Sequence, residues 1–67
     1  MSDFERLLRI LDEREPVCER CMAVLANLRL DEVSTALIAI RGHIALIAEY
    51  EACRECHQWT RTYSFDR

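Results

Sequence analysis

Lysine is missing from this chain of 67 residues, and glycine and proline occur only once each. All nine basic residues are arginine, and twelve acidic residues outnumber them, which leaves a net charge of −3. This balance argues against a protein that coats nucleic acid without regard to its sequence, so any basic surface must be small. The exclusive use of arginine fits bidentate recognition of carboxylate or phosphate, and it fits a biased gene composition equally well.

The sequence also has no long uninterrupted hydrophobic run, and the acidic residues Asp3 and Glu5 stand near its beginning. We therefore expect neither a signal peptide nor a transmembrane span, and no membrane partner. The single glycine rules out a glycine-rich phosphate-binding loop, and no nucleophile lies at an interpretable spacing from a base. These absences predict a cytoplasmic protein without enzymatic activity and without an evident small-molecule substrate.

Cysteine is the residue type that stands out in what remains. Four cysteines form two Cys-x-x-Cys pairs, one in "PVCERC" and one in "EACRECHQW". A single domain over residues 1–67 has a small core, so a cross-link between distant segments is expected to stabilise it. Cytoplasmic thiol pools keep disulfides reduced, which favours metal ligation over two disulfide bonds.

The spacing Cys-x2-Cys-x31-Cys-x2-Cys predicts a structural zinc site whose ligands are Cys18, Cys21, Cys53 and Cys56. Two residues between thiols allow a tight turn to direct both sulfur atoms at one ion. An iron–sulfur cluster, redox-active pairs and cysteines that only fill a core are the alternatives, and His57 is an alternative ligand. A site filled by four protein thiolates leaves no position for water, so we expect it to be structural and not hydrolytic.

Apolar residues at spacings of three and four predict three helices. The first spans residues 3–14, with Ser2 or the residue after it as its cap, and it ends before Pro16. The second spans residues 17–28 and carries the first cysteine pair in its opening turn. Its predicted apolar face consists of Cys21, Val24, Leu25 and Leu28. The third begins at Asp31, and its inward residues are Val33, Leu37 and Ile40.

The C-terminal segment "WTRTYSF" predicts a strand, because β-branched and aromatic residues alternate with polar ones there. A strand needs a partner, and residues 44–51 form the only other segment of adequate length. We therefore predict a hairpin across residues 45–65 with the second cysteine pair at its tip, although "IALIAEYEA" prefers helix locally. In the alternative, the third helix continues to about His57, which places the two cysteine pairs too far apart for one ion within a monomer.

Three helices followed by a hairpin is the plan of a winged helix-turn-helix, an α+β fold. The stretch "CERCMAVLANLRLDEVSTALIAIRGHIALIAEYEACREC", extending into "HQWTRTYSF", resembles a bacterial winged-helix family with a four-cysteine zinc site. In that family one Cys-x-x-Cys opens the second helix and another forms the tip of the wing. The small, apolar "MAVLANL" and the inward residues of the third helix also match. The resemblance implies a zinc-stabilised transcriptional regulator that binds double-stranded DNA.

The resemblance further implies that the third helix enters the major groove while the wing approaches phosphates. The residues expected to contact DNA are Ser34, Thr35, Arg41, Arg54, His57 and Arg61. A second function stays open, because the third helix offers few side chains that read bases and is apolar around most of its circumference. In that alternative, Ile38 and Ala39 contact a protein partner or a second copy of the chain, and the domain does not bind DNA.

Overall fold

The computed structural model describes residues 2–66 of the chain. Within that range the elements are α1 Asp3–Arg14, β1 Val17–Cys18, α2 Glu19–Ala26, α3 Leu30–Arg41, β2 Leu46–Ala52 and β3 Trp59–Phe65. The strands form one antiparallel sheet in the order β1-β3-β2. The predicted α+β class and the C-terminal hairpin are therefore confirmed for this part of the chain.

Helix α1 forms over the predicted residues because each of its ends carries a local signal. The Ser2 side chain accepts a hydrogen bond of 3.2 Å from the amide of Glu5 and so caps the first turn. At the other end, the residue before Pro16 is extended, as proline requires of its predecessor. Leu7 and Leu11, one turn apart, are completely buried and define the face that packs on the rest of the domain.

The second helix is shorter than its predicted span of residues 17–28. The first two residues of that span form β1 and pair with β3, so α2 begins only at Glu19. The helix ends before Asn27, whose left-handed backbone (φ 58°) stops it and is tolerated better by asparagine than by most residues. Cys18 therefore precedes the first turn of α2 as its N-cap instead of lying within that turn.

The predicted apolar face of α2 is confirmed only in part, because Cys21 and, just beyond the helix, Leu28 pack partly buried against the core whereas the other two predicted residues do not. Met22, Ala23 and Ala26 are buried, whereas Val24 is 76% exposed and Leu25 is 39% exposed. Because "CMAVLANL" is apolar on nearly every side, helical spacing does not determine which side is buried. Packing determines it, since two small alanine side chains allow α2 to lie close to the neighbouring elements of the core.

Helix α3 follows the prediction closely. The Glu32 side chain accepts a hydrogen bond of 3.0 Å from the amide of Arg29, which stabilises the start of the helix. The predicted inward residues are all buried: Val33, Leu37 and Ile40. The helix ends at Arg41, and the only glycine of the chain, Gly42, forms its C-cap.

Strands β2 and β3 pair in a regular register from Leu46 opposite Phe65 to Ala52 opposite Trp59. The helical alternative for residues 45–53 is therefore wrong. Local helix preference is overridden because β3 supplies a complete antiparallel partner and buries Tyr63 against the helices. The two cysteines of the second pair lie at the tip of this hairpin, as predicted.

The core lies between the sheet and the three helices. Its larger buried apolar side chains are Leu7, Leu11, Val17, Met22, Val33, Leu37, Ile40 and Tyr63. Cys18 and Cys53 are buried at the border of this cluster. The core therefore reaches the point where β1, the start of α2 and the hairpin tip meet.

Candidate metal centre

The first cysteine pair is positioned by the junction of β1 and α2. Cys18 is the last residue of β1, where pairing with Thr62 of β3 fixes its backbone. Cys21 follows in the first turn of α2 and is half-buried. Because an extended residue leads directly into a helical turn, both thiols can lie on one side of the junction.

The second pair is positioned by the turn that joins β2 to β3. The amide of Cys53 donates to the carbonyl of Gln58 at 3.0 Å, and the amide of His57 donates to the carbonyl of Cys53 at 2.8 Å. The amide of Arg54 donates to the carbonyl of Pro16 at 2.9 Å, which holds the turn against the segment before β1. Cys53 is completely buried in this arrangement, whereas Cys56 is exposed.

The four cysteines come together in one cluster. All four Sγ atoms lie within 4.8 Å of one another, with 3.9 Å between Cys18 and Cys56 and 3.7 Å between Cys21 and Cys53. Zn–S bonds of about 2.3 Å in a tetrahedron require Sγ atoms about 3.8 Å apart. A disulfide requires about 2.0 Å, and all four cysteines are free. The cluster therefore has the spacing of a four-thiolate metal site and not that of two disulfides.

Backbone amides direct their hydrogens at the sulfur atoms of this cluster. Burial opposes ionisation of Cys53, but amides of Cys56, Cys18 and Glu55 outweigh it and lower the pKa of its thiol to about 6. The amide of Cys18 is 3.4 Å from that sulfur atom. Burial raises the pKa of the Cys18 and Cys21 thiols, so a bound cation would be needed to hold these two as thiolates.

The three predicted DNA contacts of α3 lie in different environments. Ser34 is half-buried, and its hydroxyl donates to Glu19 at 3.3 Å. Thr35 is exposed, and its hydroxyl donates at 3.0 Å to the carbonyl of Asp31 one turn earlier. Arg41 is exposed at the end of the helix. Of the three, Arg41 is the side chain with its polar group presented to solvent.

The three predicted contacts of the hairpin are all exposed. Arg54 and His57 belong to the tip, where His57 has a left-handed backbone (φ 63°). Arg61 lies on β3 with its guanidinium 5.9 Å from the centre of the Tyr63 ring. These residues are accessible to a ligand, and their contacts with DNA stay a prediction.

Tyr63 of β3 is connected to Ser34 of α3 through the carboxylate of Glu19 on α2. Its hydroxyl donates to Glu19 at 2.7 Å. Burial and this bond raise the pKa of Tyr63, while the positive charges of Arg61 and Arg41 oppose the rise. Glu19 is not predictable as a functional residue from the sequence, because its two hydroxyl partners are distant in sequence and no local pattern marks it.

The two residues predicted for a protein interface, Ile38 and Ala39, are both exposed on α3, and Ile38 is 72% exposed. Trp59, which is 74% exposed at the start of β3, is not predictable as an exposed residue from helical or strand spacing. The only available signal was its position directly after the cysteine turn, where a hairpin leaves side chains uncovered.

None of the helices within residues 2–66 combines the length and the apolar character needed to cross a bilayer. No protein-family model matches the chain, and searches of curated proteins and of solved structures find no match either.

Proposed function

We propose that the four cysteines bind one zinc ion that stabilises a winged helix-turn-helix, and that this domain binds double-stranded DNA as a transcriptional regulator. Four thiolates at tetrahedral spacing are a donor set that zinc takes in small domains, which supports the choice of metal. The order of three helices before a hairpin supports the fold. Since four thiolates leave no open coordination position, the proposed role of the metal is structural.

The observation that carries the DNA-binding proposal is a pair of exposed arginines, Arg41 at the end of α3 and Arg61 on β3. Neither forms a salt bridge with another residue in the described part of the chain. Two exposed guanidinium groups without a salt-bridged carboxylate, one on the proposed recognition helix and one on the proposed wing, suit phosphates of a DNA backbone.

The net charge of −3 is spread over several elements of the domain. Four exposed acidic residues belong to α1: Asp3, Glu5, Asp12 and Glu13. At the start of α3, Asp31 and Glu32 are engaged by Arg29, at 3.3 and 3.5 Å. Four of the twelve acids therefore belong to a helix that carries neither Arg41 nor Arg61, and Arg29 offsets part of the charge of two more.

The proposal is tested by selecting binding sites from a random duplex library at low salt with the zinc-loaded protein. We expect an enriched sequence, and we expect Arg41→Ala and Arg61→Ala each to weaken binding to it. Affinity should fall steeply with salt, because phosphate contacts release counterions. Arg9→Ala, which removes an exposed arginine from α1, is the matched control and should leave affinity unchanged. Failure to enrich any sequence would overturn the DNA-binding proposal.

A second candidate function is favoured by the exposure of Ile38, which is 72% exposed although it lies in the middle of α3. We infer from it a protein-interaction or dimerisation module that uses Ile38 and Ala39. Ile38→Glu should then dissolve a dimer or partner complex seen by sedimentation, since it places a charge in an apolar contact. Val24→Glu, at an equally exposed apolar position of α2, is the control. A monomer unchanged by either substitution, with no partner retained, would eliminate this candidate.

A further inference from the structure

A groove of about 490 Å³ lies beside the metal centre, between the start of α2, the start of α3 and β3. Cys18 and Cys56 of the cysteine cluster are among its lining residues. Its walls carry two apolar side chains, Trp59 and Leu30, and two cations, Arg20 and Arg61. Its volume is in the range of sites that hold one small ligand or one unit of a polymer, about 300–1,000 Å³.

The Trp59 side chain does not pack in the core. Its indole is 74% exposed, and its cross-strand partner is Ala52, whose side chain is too small to cover the ring. Leu30, 49% exposed, adds a second apolar side chain to the groove. A flat aromatic surface of this kind suits a second planar ring that stacks on it.

Two cations of the groove are available to an anionic group. Arg20 and Arg61 make no salt bridge within residues 2–66. The one carboxylate of the lining, Glu19, accepts hydrogen bonds from the hydroxyls of Tyr63 and Ser34, at 2.7 and 3.3 Å. Both of its oxygen atoms therefore have other partners, and phosphate contacts are expected locally, at the two guanidinium groups.

We propose that this groove binds an unpaired nucleotide of a single-stranded DNA segment, with the base stacked on Trp59 and the flanking phosphates on Arg20 and Arg61. A planar base joined to an anion matches the combination of an exposed indole and two guanidinium groups. A base within a duplex keeps both faces against its neighbours, so an unpaired base offers a free face to the indole without the cost of unstacking. The inference rests on the proposed function only in that the ligand is a nucleic acid.

Trp59 is the only tryptophan of the chain, so intrinsic fluorescence reports on this groove alone. Zinc-loaded protein is titrated at low salt with a ten-residue oligothymidylate, and we expect saturable quenching of the indole. A polyglutamate peptide of the same length is the control for a general anion effect and should not quench. Equal quenching by the peptide, or no quenching by the oligonucleotide, overturns the proposal.

Variants are measured with a fluorescein-labelled oligothymidylate, whose anisotropy does not require tryptophan. Trp59→Ala should weaken binding at least about fivefold, as expected for the loss of one stacked base, while Trp59→Phe should retain most of the affinity. Arg20→Ala should weaken binding and reduce its salt dependence, and Arg9→Ala should do neither. Circular dichroism and zinc content confirm that each variant is folded. Equal affinity of the folded Trp59→Ala variant overturns the stacking role.

The two proposals fail in different ways. An enriched duplex sequence together with an unchanged Trp59→Ala variant removes only the nucleotide groove. Quenching by the oligothymidylate without any enriched duplex sequence removes only the proposed duplex binding.

Discussion

The Sγ atoms of Cys21 and Cys53 lie 3.7 Å apart although 32 positions separate the two residues in the sequence. One lies in the first turn of α2, and the other directly follows Ala52, the last residue of β2. A metal held between them joins segments that the unfolded chain keeps apart. In small zinc domains such binding contributes on the order of 10 kcal/mol, which is comparable with the whole stability of a domain.

Metal content is the first prediction. We expect one zinc per chain by elemental analysis, and we expect Cys53→Ser or Cys56→Ser to lose the metal and most of the tertiary structure. Ala52→Ser, at the exposed position before Cys53, is the control and should retain both. Protein without zinc, with four freely reactive thiols and an unchanged fold, would contradict the prediction.

Stability should fall as the pH is lowered from 9 to 6. The pKa of Cys53 is lowered from 9.0 to about 6, so its thiolate stabilises the folded state above pH 9, and this contribution is lost as the pH falls through about 6. The pKa values of Cys18 and Cys21 are raised, so below pH 9 both thiols are protonated in the folded and in the unfolded chain. Their contribution to the free energy of unfolding therefore does not change with pH in this range and does not offset the loss from Cys53. Competition between protons and metal acts in the same direction. Urea midpoints at pH 8.5 and pH 6 test this, and an equal or higher midpoint at pH 6 contradicts it.

The buried face of α2 is tested by a pair of substitutions. Met22→Ala removes a completely buried side chain and should lower the free energy of unfolding by about 2–5 kcal/mol. Val24→Ala removes an exposed one and should change it by no more than about 0.5 kcal/mol. Urea unfolding of the zinc-loaded variants measures both values. A larger loss in the free energy of unfolding for Val24→Ala than for Met22→Ala would instead support the apolar face predicted from the sequence.

The hydrogen bond between Tyr63 and Glu19 should contribute measurably to stability. A double-mutant cycle of Tyr63→Phe and Glu19→Ala isolates it, and we expect a coupling energy of about 1–2 kcal/mol because the acceptor is charged and the site is part-buried. Ser34→Ala removes the longer bond to the same carboxylate and should cost less. Additive effects of the first two substitutions would show that the bond contributes nothing.

Local signals explain why α1, α3 and the hairpin are predictable. Ser2 and Pro16 mark the ends of α1, and the spacing of Val33 and Leu37 marks the inner face of α3. The strand β3 is predictable from its alternation, and β2 then follows because a strand requires a partner. The clustering of the four cysteines is predictable because the chemistry of a four-thiolate site would impose such a spacing on the sequence itself.

The remaining features depend on contacts between distant residues. Val17 is extended only because Tyr63 of β3 lies opposite it, and a two-residue strand leaves no pattern of its own. The orientation of α2 depends on how closely its alanines approach their neighbours. The role of Glu19 depends on hydroxyls located 15 and 44 positions later in the sequence. Such arrangements are fixed by packing of the whole domain and not by local preference.

The location of a ligand pair at the hairpin tip limits where the chain can gain or lose residues. An insertion of one residue into β2 or β3 would either turn the side chains beyond it to the opposite face of the sheet or displace Cys53 and Cys56 from the other two cysteines. Residues 42–45 connect α3 to β2 and contain no cysteine. Their number is therefore not fixed by the positions of the four sulfur atoms. Length variation among natural or engineered versions of this domain should therefore concentrate at residues 42–45. The number of residues in β2, in β3 and in the cysteine turn between them should stay constant.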